Sequence, residues 1–519
     1  MMMVTIIMLT AKVLINVYTY ATLPYYYFSQ KPWLKLNKAQ RCRTRLVVPT
    51  DAADSHWVRD EPELTHSVMR PTVTEILNNL VDYHGPNTPI LAYREILSVE
   101  ELRGSDGKAR RVDGRPLRQY RLSGYKWLTY GRVDTITTSL ARGLAANGAH
   151  FQDRILILSE TRLEWFLCAQ AVAKLGACIV TLSPNLSDEG IAYGINQTEI
   201  KLMIVSRDLV PKIQSLIDKI PTVRTIIYMN GNNLQPETKP NDKQITDFPD
   251  TIHVLSMQEL ELNGAHWSEI VLKTPAPDDP FIIIYTSGTT GAPKAAVATH
   301  RQMVNGSANG WLSLFKEIIA DGTRTHTYVA FLPLCHVFEL TIEFFLYYVG
   351  VKIGYATTFT LTESGPGLAP GERCDISLLR PTVMICVPLM LDRIAKGIGA
   401  RLSAQSSLSA QMFAYIMAYK SQWTQRGYRC PIVNKLVCSK LRQQMGGQLK
   451  LAIVGSAPLS PTTQATIKAA LDIVLVQGYA ATETLCAGLV PLKFTLELGL
   501  PYIHSNFQQA VYVNAEAQS

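Results

Sequence analysis

Neither paired cysteines nor the common glycine-rich nucleotide motifs occur in this chain of 519 residues. Its nine cysteines are scattered and include no C-x-x-C pair, which excludes the usual zinc sites and a disulfide framework and favours a reducing compartment. The absence of G-x-x-x-x-G-K-[ST] excludes a P-loop NTPase, and the absence of G-x-G-x-x-G excludes a Rossmann dinucleotide site. For this length we expect two or three domains or subdomains.

The positive charge is modest overall, with a formal net charge of +8, but it is concentrated just after residue 30. No nucleic-acid recognition motif accompanies this concentration, so we expect no nucleic acid as a partner. A basic stretch directly after an apolar segment is typical of a membrane surface. The basic residues are Lys31, Lys35, Lys38, Arg41, Arg43 and Arg45.

Residues 1–30 are apolar and aromatic and predict a membrane anchor. The stretch Val13–Gln30 carries no charge and is 18 residues long, the lower limit for spanning a bilayer. Because basic residues follow it, the remaining chain is predicted to face the cytosol. An interfacial hydrophobic hairpin and a cleaved signal peptide are the alternatives. We expect the endoplasmic reticulum, with the mitochondrial outer membrane or the peroxisome as alternative compartments.

From residue 125 onward, short apolar runs alternate with segments of helical periodicity. This βαβ pattern predicts an α/β fold with parallel sheets covered by helices. Residues 230–276 are polar and rich in turn residues, and predict a surface excursion. The predicted strands are Arg154–Ser159, Cys178–Leu182, Lys201–Val205, Thr225–Tyr228, Phe281–Ile284, Tyr328–Leu332, Val351–Tyr355, Val383–Val387, Leu449–Val454 and Ile473–Val476, and the helix after the first of them is Glu164–Leu175.

A loop of small residues follows the predicted strand Phe281–Ile284 and has the chemistry of a polyphosphate site. Glycines let backbone amides approach a phosphate, hydroxyls add donors, and Lys294 adds a positive charge. The alternative is an ordinary surface loop after a core strand. The loop residues are Thr286, Ser287, Gly288, Thr289, Thr290 and Gly291.

Three further loops follow apolar strands and carry candidate site residues. The first contains His336, and the second is Gly455, Ser456, Ala457 and Pro458. The third is Gln477, Gly478 and Tyr479 followed by Thr482 and Glu483, in which an aromatic ring, a hydroxyl and a carboxylate can serve a nucleobase, a phosphate and Mg²⁺. Loops at the carboxyl ends of strands are where open α/β sheets bind ligands. Taken alone, His336 is equally well explained as a packed structural histidine, and each of the other two loops as an ordinary turn.

Together these blocks resemble the long-chain fatty acid–CoA ligases, or acyl-CoA synthetases, of the adenylate-forming superfamily, specifically the animal membrane-anchored type. The resemblance extends from about residue 20 to 490. The matching blocks are PYYYFSQKPW (24–33), YKWLTYGRV (125–133), ETRLEWFLCAQ (160–170), YTSGTTGAPK (285–294), LPLCHVFEL (332–340), LRPTVMICVPLMLDRI (379–394), GSAPLSPTTQ (455–464) and GYAATET (478–484).

The resemblance implies the large N-terminal domain of the acyl-CoA synthetase and luciferase fold at residues 125–519, after an anchor at 1–30 and a basic N-terminal extension at 31–124. It implies ATP-dependent activation of a long-chain fatty acid to acyl-CoA through an acyl-adenylate, with Mg²⁺ as cofactor and ATP and CoA as co-substrates. Residues 286–291 and Lys294 would hold the β- and γ-phosphates. Residues 455–458 and 477–479 would flank the adenine, Thr482 would contact the α-phosphate, Glu483 would bind Mg²⁺, and His336 would lie beside the carboxylate.

The sequence departs from that family at several positions. Ala295, Ser456 and Ala480 stand where glycine is common, and the methyl group of Ala295 is expected to crowd the turn. The hinge and the mobile C-terminal domain with its catalytic lysine find no match before Ser519. A truncated, inactive membrane-bound relative that binds ATP, acyl ligands or partner synthetases is therefore the alternative function. The oligomeric state is left open.

Overall fold

The computed structural model describes residues 2–40, 44–47, 56–59, 71–103, 108–112, 115–231, 248–286, 293–306, 325–478 and 481–485. At the amino terminus, helix α1 (Met2–Gln30) is followed by α2 (Pro32–Gln40), and a short hairpin pairs β1 (Thr44–Val47) with β2 (His56–Arg59). Helix α1 is continuous through Pro24 and does not form a hairpin. By length and composition, Val4–Gln30 is long and apolar enough to cross a membrane.

Two seven-stranded sheets form the body of the protein, and each is parallel except for one edge strand. The chain enters this body through helix α3 (Val73–His84), whose amino terminus is closed by a capping box between Thr72 and Glu75. The strands that follow α3 are β3 (Pro89–Tyr93), β4 (Ile96–Glu101), β5 (Arg111–Val112), β6 (Arg115–Pro116), β7 (Arg118–Leu122) and β8 (Lys126–Thr129). Of these, β3 and β8 join a seven-stranded sheet, whereas β4 pairs with β7 and β5 pairs with β6.

The first large sheet has the strand order β13-β12-β11-β9-β10-β14-β15. Its inner strands are buried along nearly their whole length, as their β-branched sequences predict for a parallel sheet covered on both faces. Only the edge strand β15 runs antiparallel to its neighbour. The strands are β9 (Arg154–Leu158), β10 (Cys178–Thr181), β11 (Leu202–Ser206), β12 (Thr225–Met229), β13 (His253–Ser256), β14 (Pro280–Thr286) and β15 (Lys294–Thr299).

The second large sheet has the order β20-β19-β18-β16-β17-β3-β8. Here β8 is the antiparallel edge strand. Because the other strands are parallel, their carboxyl ends lie at one edge of the sheet. Its remaining strands are β16 (Thr327–Ala330), β17 (Lys352–Tyr355), β18 (Val383–Cys386), β19 (Leu451–Val454) and β20 (Val474–Gln477).

Helices cover the two sheets and fill the space between them. They are α4 (Tyr130–Ala146), α5 (Leu163–Leu175), α6 (Asp188–Gln197), α7 (Val210–Gln214), α8 (Met257–His266), α9 (Val337–Val349), α10 (Asp375–Leu379), α11 (Pro388–Gln405), α12 (Ser407–Gln425), α13 (Pro431–Val433), α14 (Ser439–Gln444) and α15 (Pro461–Leu471).

Helix α5 is buried at every position, because it contacts β9 and β10 of the first sheet and β3 of the second. Helix α9 has a similar place: the Phe344 ring packs against Phe281 of the first sheet and against Phe166 of α5. A single hydrophobic core therefore extends from one sheet to the other.

The predicted α/β class is confirmed, and each predicted strand lies within one or two residues of an observed one. Two regions differ from expectation. The fold already includes elements from Val73 onward, so the expected boundary at residue 125 separates neighbouring strands of one sheet. Within the expected surface excursion, β13 and α8 belong to the first sheet and its helical cover, and α8 packs closely against α4.

Candidate active site

The predicted phosphate loop connects the antiparallel strands β14 and β15 at the edge of the first sheet. Thr286 and Lys294 are paired where the two strands separate, so the lysine lies at the base of the loop. The Thr286 hydroxyl donates a hydrogen bond to the Lys294 carbonyl at 3.4 Å. Below this pair, the Tyr285 hydroxyl donates to the Gln197 side chain at 2.7 Å and fixes the end of β14 against α6. Residues Ser287–Gly291 lie outside the described residues.

Ala295 does not lie in a turn. It is the second residue of β15, paired in regular register with Tyr285, and its side chain is exposed. The expected crowding by its methyl group is therefore wrong, because a strand places the Cβ atom away from its own backbone.

At the second sheet, the loops after β19 and β20 begin side by side. The Gly478 amide donates to the Val454 carbonyl at 2.8 Å, and the Gly455 amide donates to the Cys386 carbonyl at 3.4 Å. Gln477 and Gly478 are half-buried, whereas Tyr479 lies outside the described residues. The two predicted adenine-flanking segments therefore start at neighbouring points of one sheet edge.

Gly455 makes a close contact that only glycine permits. A Cβ atom at this position would lie 2.9 Å from the Phe338 ring. The next residue, Ser456, has φ +70°, a left-handed conformation that favours glycine, whereas Ala457 and Pro458 are exposed in an open turn. Phe338 belongs to the first turn of α9, so this contact brings the start of α9 next to the Gly455 loop.

His336 precedes the first residue of α9 and is exposed. Desolvation by the surrounding protein lowers the pKa of its imidazole, which favours the neutral ring. The segment leading to it is fixed by the first sheet: the Leu334 amide donates to the Thr161 hydroxyl at 2.9 Å, and the Thr181 hydroxyl donates to the Cys335 carbonyl at 3.2 Å. The carboxyl-terminal ends of β9, β10 and β16 therefore meet beside His336.

Thr482 and Glu483 lie in a short 3₁₀ turn, Thr482–Thr484, that packs against β15. The turn is held from within by a hydrogen bond from the Leu485 amide to the Thr482 carbonyl at 3.1 Å, and the Leu485 side chain is buried in the core. Glu483 is exposed. The chain thus returns from the second sheet to the strand that begins with Lys294.

Sequence reasoning missed two buried acids on α9, Glu339 and Glu343. The Tyr328 hydroxyl donates to both carboxyl oxygens of Glu339 at 2.6 and 2.7 Å, and the Tyr355 hydroxyl donates to Glu343. Burial raises the pKa of Glu343 to about 8; burial and the neighbouring Glu343 raise the pKa of Glu339 well above its usual value. Their i, i+4 spacing in an otherwise apolar helix was the available signal.

The profile of the family described as AMP-binding enzyme matches residues 108–505. Among curated relatives, the chain is 30% identical to long chain acyl-CoA synthetase 8 of Arabidopsis thaliana over 77% of this chain and 54% of that protein. It is 29% identical to long-chain-fatty-acid–CoA ligase 2 of Schizosaccharomyces pombe (71% and 52%) and 28% identical to the peroxisomal long chain acyl-CoA synthetase 6 of A. thaliana (72% and 50%). The chain spans about half the length of these relatives.

Solved structures have the same fold. The adenylation domain of a Mycobacterium chelonae carboxylate reductase superposes with a TM-score of 0.61 at 20% identity, over 80% of this chain and 59% of that one. The corresponding domain from Segniliparus rugosus, solved with AMP and a co-purified carboxylic acid, gives 0.60 at 18% identity, with coverages of 80% and 61%. The chain therefore belongs to the AMP-binding enzyme family of the adenylate-forming superfamily. Within that family, the relatives named above are long-chain acyl-CoA synthetases and ligases, as the sequence blocks predicted.

Proposed function

We propose that this chain activates long-chain fatty acids to acyl-CoA through an acyl-adenylate, as part of lipid metabolism. The proposal is carried by one arrangement: the turn with Thr482 and Glu483 packs against the strand that begins at Lys294. The hydroxyl of Thr482 and the carboxylate of Glu483 thereby lie close to the strand at the base of the proposed phosphate loop. The names of the curated relatives support the substrate class.

In the proposed first step, a fatty acid carboxylate oxygen attacks the α-phosphorus of ATP, and the bond to the pyrophosphate leaving group breaks. In the second, the sulfur of coenzyme A attacks the acyl carbon, and AMP leaves with the bonding electron pair. Carboxylate and ATP are both anionic, so positioning and charge neutralisation have to offset their repulsion.

We assign the residue roles from the resemblance to the family. Lys294 would neutralise charge on the β- and γ-phosphates, the loop Thr286–Gly291 would donate hydrogen bonds to them, and Thr482 would donate to the α-phosphate. The strand ends at Gly455 and Gly478 would flank the adenine, together with Ser456, Ala457, Pro458, Gln477 and Tyr479. His336, whose neutral form is favoured, would donate a hydrogen bond to the carboxylate without forming a fixed ion pair with it.

Mg²⁺ fits this site through the substrate. No group of three or more His, Cys, Asp or Glu side chains able to hold a metal occurs among the described residues. Mg²⁺ is commonly bound by one or two carboxylates together with substrate phosphates, and the exposed Glu483 beside β15 supplies one such carboxylate. We propose Glu483 as its ligand; with ATP bound, the cation would offset phosphate charge.

We also propose that α1 anchors the protein in a membrane, with the catalytic body on the cytosolic side. Its apolar length and the basic residues after it support this orientation. The endoplasmic reticulum is the proposed compartment. The mitochondrial outer membrane and the peroxisome are the alternatives, and one relative is named as peroxisomal.

Exchange of labelled pyrophosphate into ATP tests the activity, because exchange requires reversible formation of the acyl-adenylate. The full chain is assayed with palmitate, with acetate and with no acid. We expect exchange with palmitate well above both other reactions. ATP binding without palmitate-dependent exchange would contradict the activity of this chain and favour the binding-only relative, while family membership would be unaffected.

A further inference from the structure

A strongly basic cavity lies beside the amino-terminal ends of β19 and β20, whereas the proposed active-site loops follow the carboxyl-terminal ends of these strands. It has a volume of about 900 Å³ and is formed by α12, the segment from Gly427 to Arg442, α15 and the start of β20, with Lys35 of α2 at one side. Seven Lys or Arg side chains line it, against one carboxylate, that of Asp472.

The Asp472 carboxylate already has hydrogen-bond partners within the protein. Its two oxygens accept from Lys420 Nζ and from Asn434 Nδ2, each at 2.8 Å. Lys420, almost completely buried, also donates to the Ala469 carbonyl at 2.7 Å. One cation is therefore neutralised within the protein, and six further basic residues share the cavity with no second acid in its lining.

Several of the remaining basic groups are partly removed from solvent. The buried Nε atom of Arg442 has no hydrogen-bond partner among the described residues. Burial and the neighbouring Arg429 lower the pKa of Lys35, and burial lowers that of Lys468. Buried donors and cations without partners are costly, so this lining is suited to an anion with several acceptor oxygens.

The cavity adjoins the carboxyl-terminal end of the apolar helix α1. The Gln30 side chain accepts from the Arg429 amide at 2.5 Å and donates to the Arg429 carbonyl at 3.1 Å. Lys35 Nζ donates to the Gly427 carbonyl at 3.0 Å. Residues that follow the end of a membrane-inserted helix lie at the level of the lipid headgroups.

The surroundings have the composition of a membrane interface. Tyr27 and Trp33 pack with ring centroids 4.7 Å apart, and Ile432 and Leu436 are exposed beside Lys435 on the cavity wall. Amphipathic aromatic rings, exposed apolar side chains and lysines together are typical of a protein surface that contacts lipid headgroups.

We propose that this cavity binds the phosphate-bearing headgroup of an anionic phospholipid from the membrane in which α1 is inserted. The proposal rests on the membrane attachment proposed for α1. It adds a specific lipid site to that attachment, which would hold the catalytic body against the membrane that supplies an apolar substrate.

Flotation of the full chain with vesicles of phosphatidylcholine, and of phosphatidylcholine mixed with phosphatidylserine, tests the site. We expect about tenfold tighter association with the mixed vesicles, because each basic residue near an anionic surface contributes to attraction. The double variant Lys435→Gln/Lys468→Gln should lose most of this preference, the remainder coming from the basic residues between Lys31 and Arg45, and should still bind both vesicles through α1. The matched control Lys201→Gln/Lys219→Gln removes two lysines distant from the cavity lining and should keep it.

The outcomes separate the two proposals. The lipid site would be overturned if the wild type showed no preference for the mixed vesicles or if the cavity variant kept the preference in full. It would also be overturned if soluble coenzyme A abolished the preference of the wild type. If the wild type floats with neither vesicle, the anchor is what fails. Protection against thermal unfolding by dihexanoyl phosphatidylserine but not dihexanoyl phosphatidylcholine would then support the cavity, and equal effects would overturn it.

Discussion

The proposed ligand-binding edge, which carries Lys294 and Glu483, differs from the layer between the two sheets in the exposure of its charged groups. At the edge, Lys294 and Glu483 are exposed, and the sequence from Thr286 to Gly291 consists of glycine and small hydroxyl residues. In the layer between the sheets, Glu339 and Glu343 are completely enclosed and their carboxyl groups meet tyrosine hydroxyls. The edge thus leaves charge available for a ligand, whereas the interior suppresses charge by favouring the protonated acid.

This difference separates function from stability. Removing a charge from the edge should reduce activity with little effect on folding, because an exposed side chain has few contacts to lose. Changing a group in the interior layer should alter stability and its pH dependence first. Variants of single residues in each region test this distinction.

The largest expected effect is on Lys294. Lys294→Ala should lower palmitate-dependent pyrophosphate exchange by about 10²–10³-fold, since it removes a cation aimed at developing phosphate charge. The midpoint of thermal unfolding should stay near that of the wild type, and Lys294→Arg should recover part of the exchange. Lys219→Ala, another exposed lysine, is the control and should retain full exchange. Equal losses in Lys294→Ala and Lys219→Ala would remove the lysine from the site.

The next effect concerns Glu343 and pH. Its pKa is raised to about 8 in the folded protein, above the value near 4.3 of an unfolded chain. The unfolded state therefore releases its proton first as the pH rises, and stability present below about pH 4.3 is lost progressively up to about pH 8, by about 5 kcal/mol. Denaturant unfolding across this range should show the decline. Glu343→Gln, which cannot ionise, should reduce the decline and leave the part that belongs to Glu339, whose pKa is also raised.

A matched comparison identifies the source of that decline. Asp188→Asn changes an exposed acid in the first turn of α6 and should leave the slope of stability against pH unchanged. A slope that survives the double variant Glu339→Gln/Glu343→Gln would assign the pH dependence to other groups and contradict the interior half of the comparison.

The sequence predicted the edge better than the interior. The loops containing Lys294, His336, Gly455 and Glu483 are local motifs at the ends of apolar strands, so their positions followed from chain order and parallel pairing. The pairing of Glu339 with Tyr328 depends on which strand lies beneath α9, and no local pattern gives that. Ala295 was misassigned because the end of the loop was placed after Lys294, whereas β15 begins at this residue.

The strand β3 and the segment His253–His266 show the same limitation in the fold. Each is short and lies in a polar context, so its local pattern predicted no sheet element. Their places in the two sheets depend on neighbours distant in sequence: β3 pairs with β17, and β13 pairs with β12. Tertiary pairing decides such elements, which a single sequence does not reveal.

A smaller effect is expected at Gly455, which follows the last residue of β19 and lies against Phe338 of α9. Gly455→Ala places a methyl group 2.9 Å from the Phe338 ring and should cost about 1–3 kcal/mol of unfolding free energy, with reduced exchange because Phe338 lies two residues after His336. Gly399→Ala is the control, since a Cβ atom there meets nothing within 4 Å and helix α11 gains from alanine. The double variant Gly455→Ala/Phe338→Leu should regain stability; failure to do so would exclude the ring contact as the cause.

The smallest effect is expected at Ser456, directly beside that contact. With φ +70°, a serine pays a steric cost that glycine avoids, although glycine also loses more entropy on folding. The relieved steric cost exceeds the entropic loss, so Ser456→Gly should raise the free energy of unfolding, measured with denaturant, by about 0.5 kcal/mol. Ser460→Gly is the matched control: it has φ −65° and its hydroxyl accepts from the Thr463 amide at 3.1 Å, so it should lose a few tenths of a kcal/mol. If the two Ser→Gly changes, four residues apart, alter the free energy of unfolding with opposite signs, the gain belongs to the backbone conformation of Ser456. Equal signs would show that the turn after β19 stores no strain and that its shape is set by the contact at Gly455 alone.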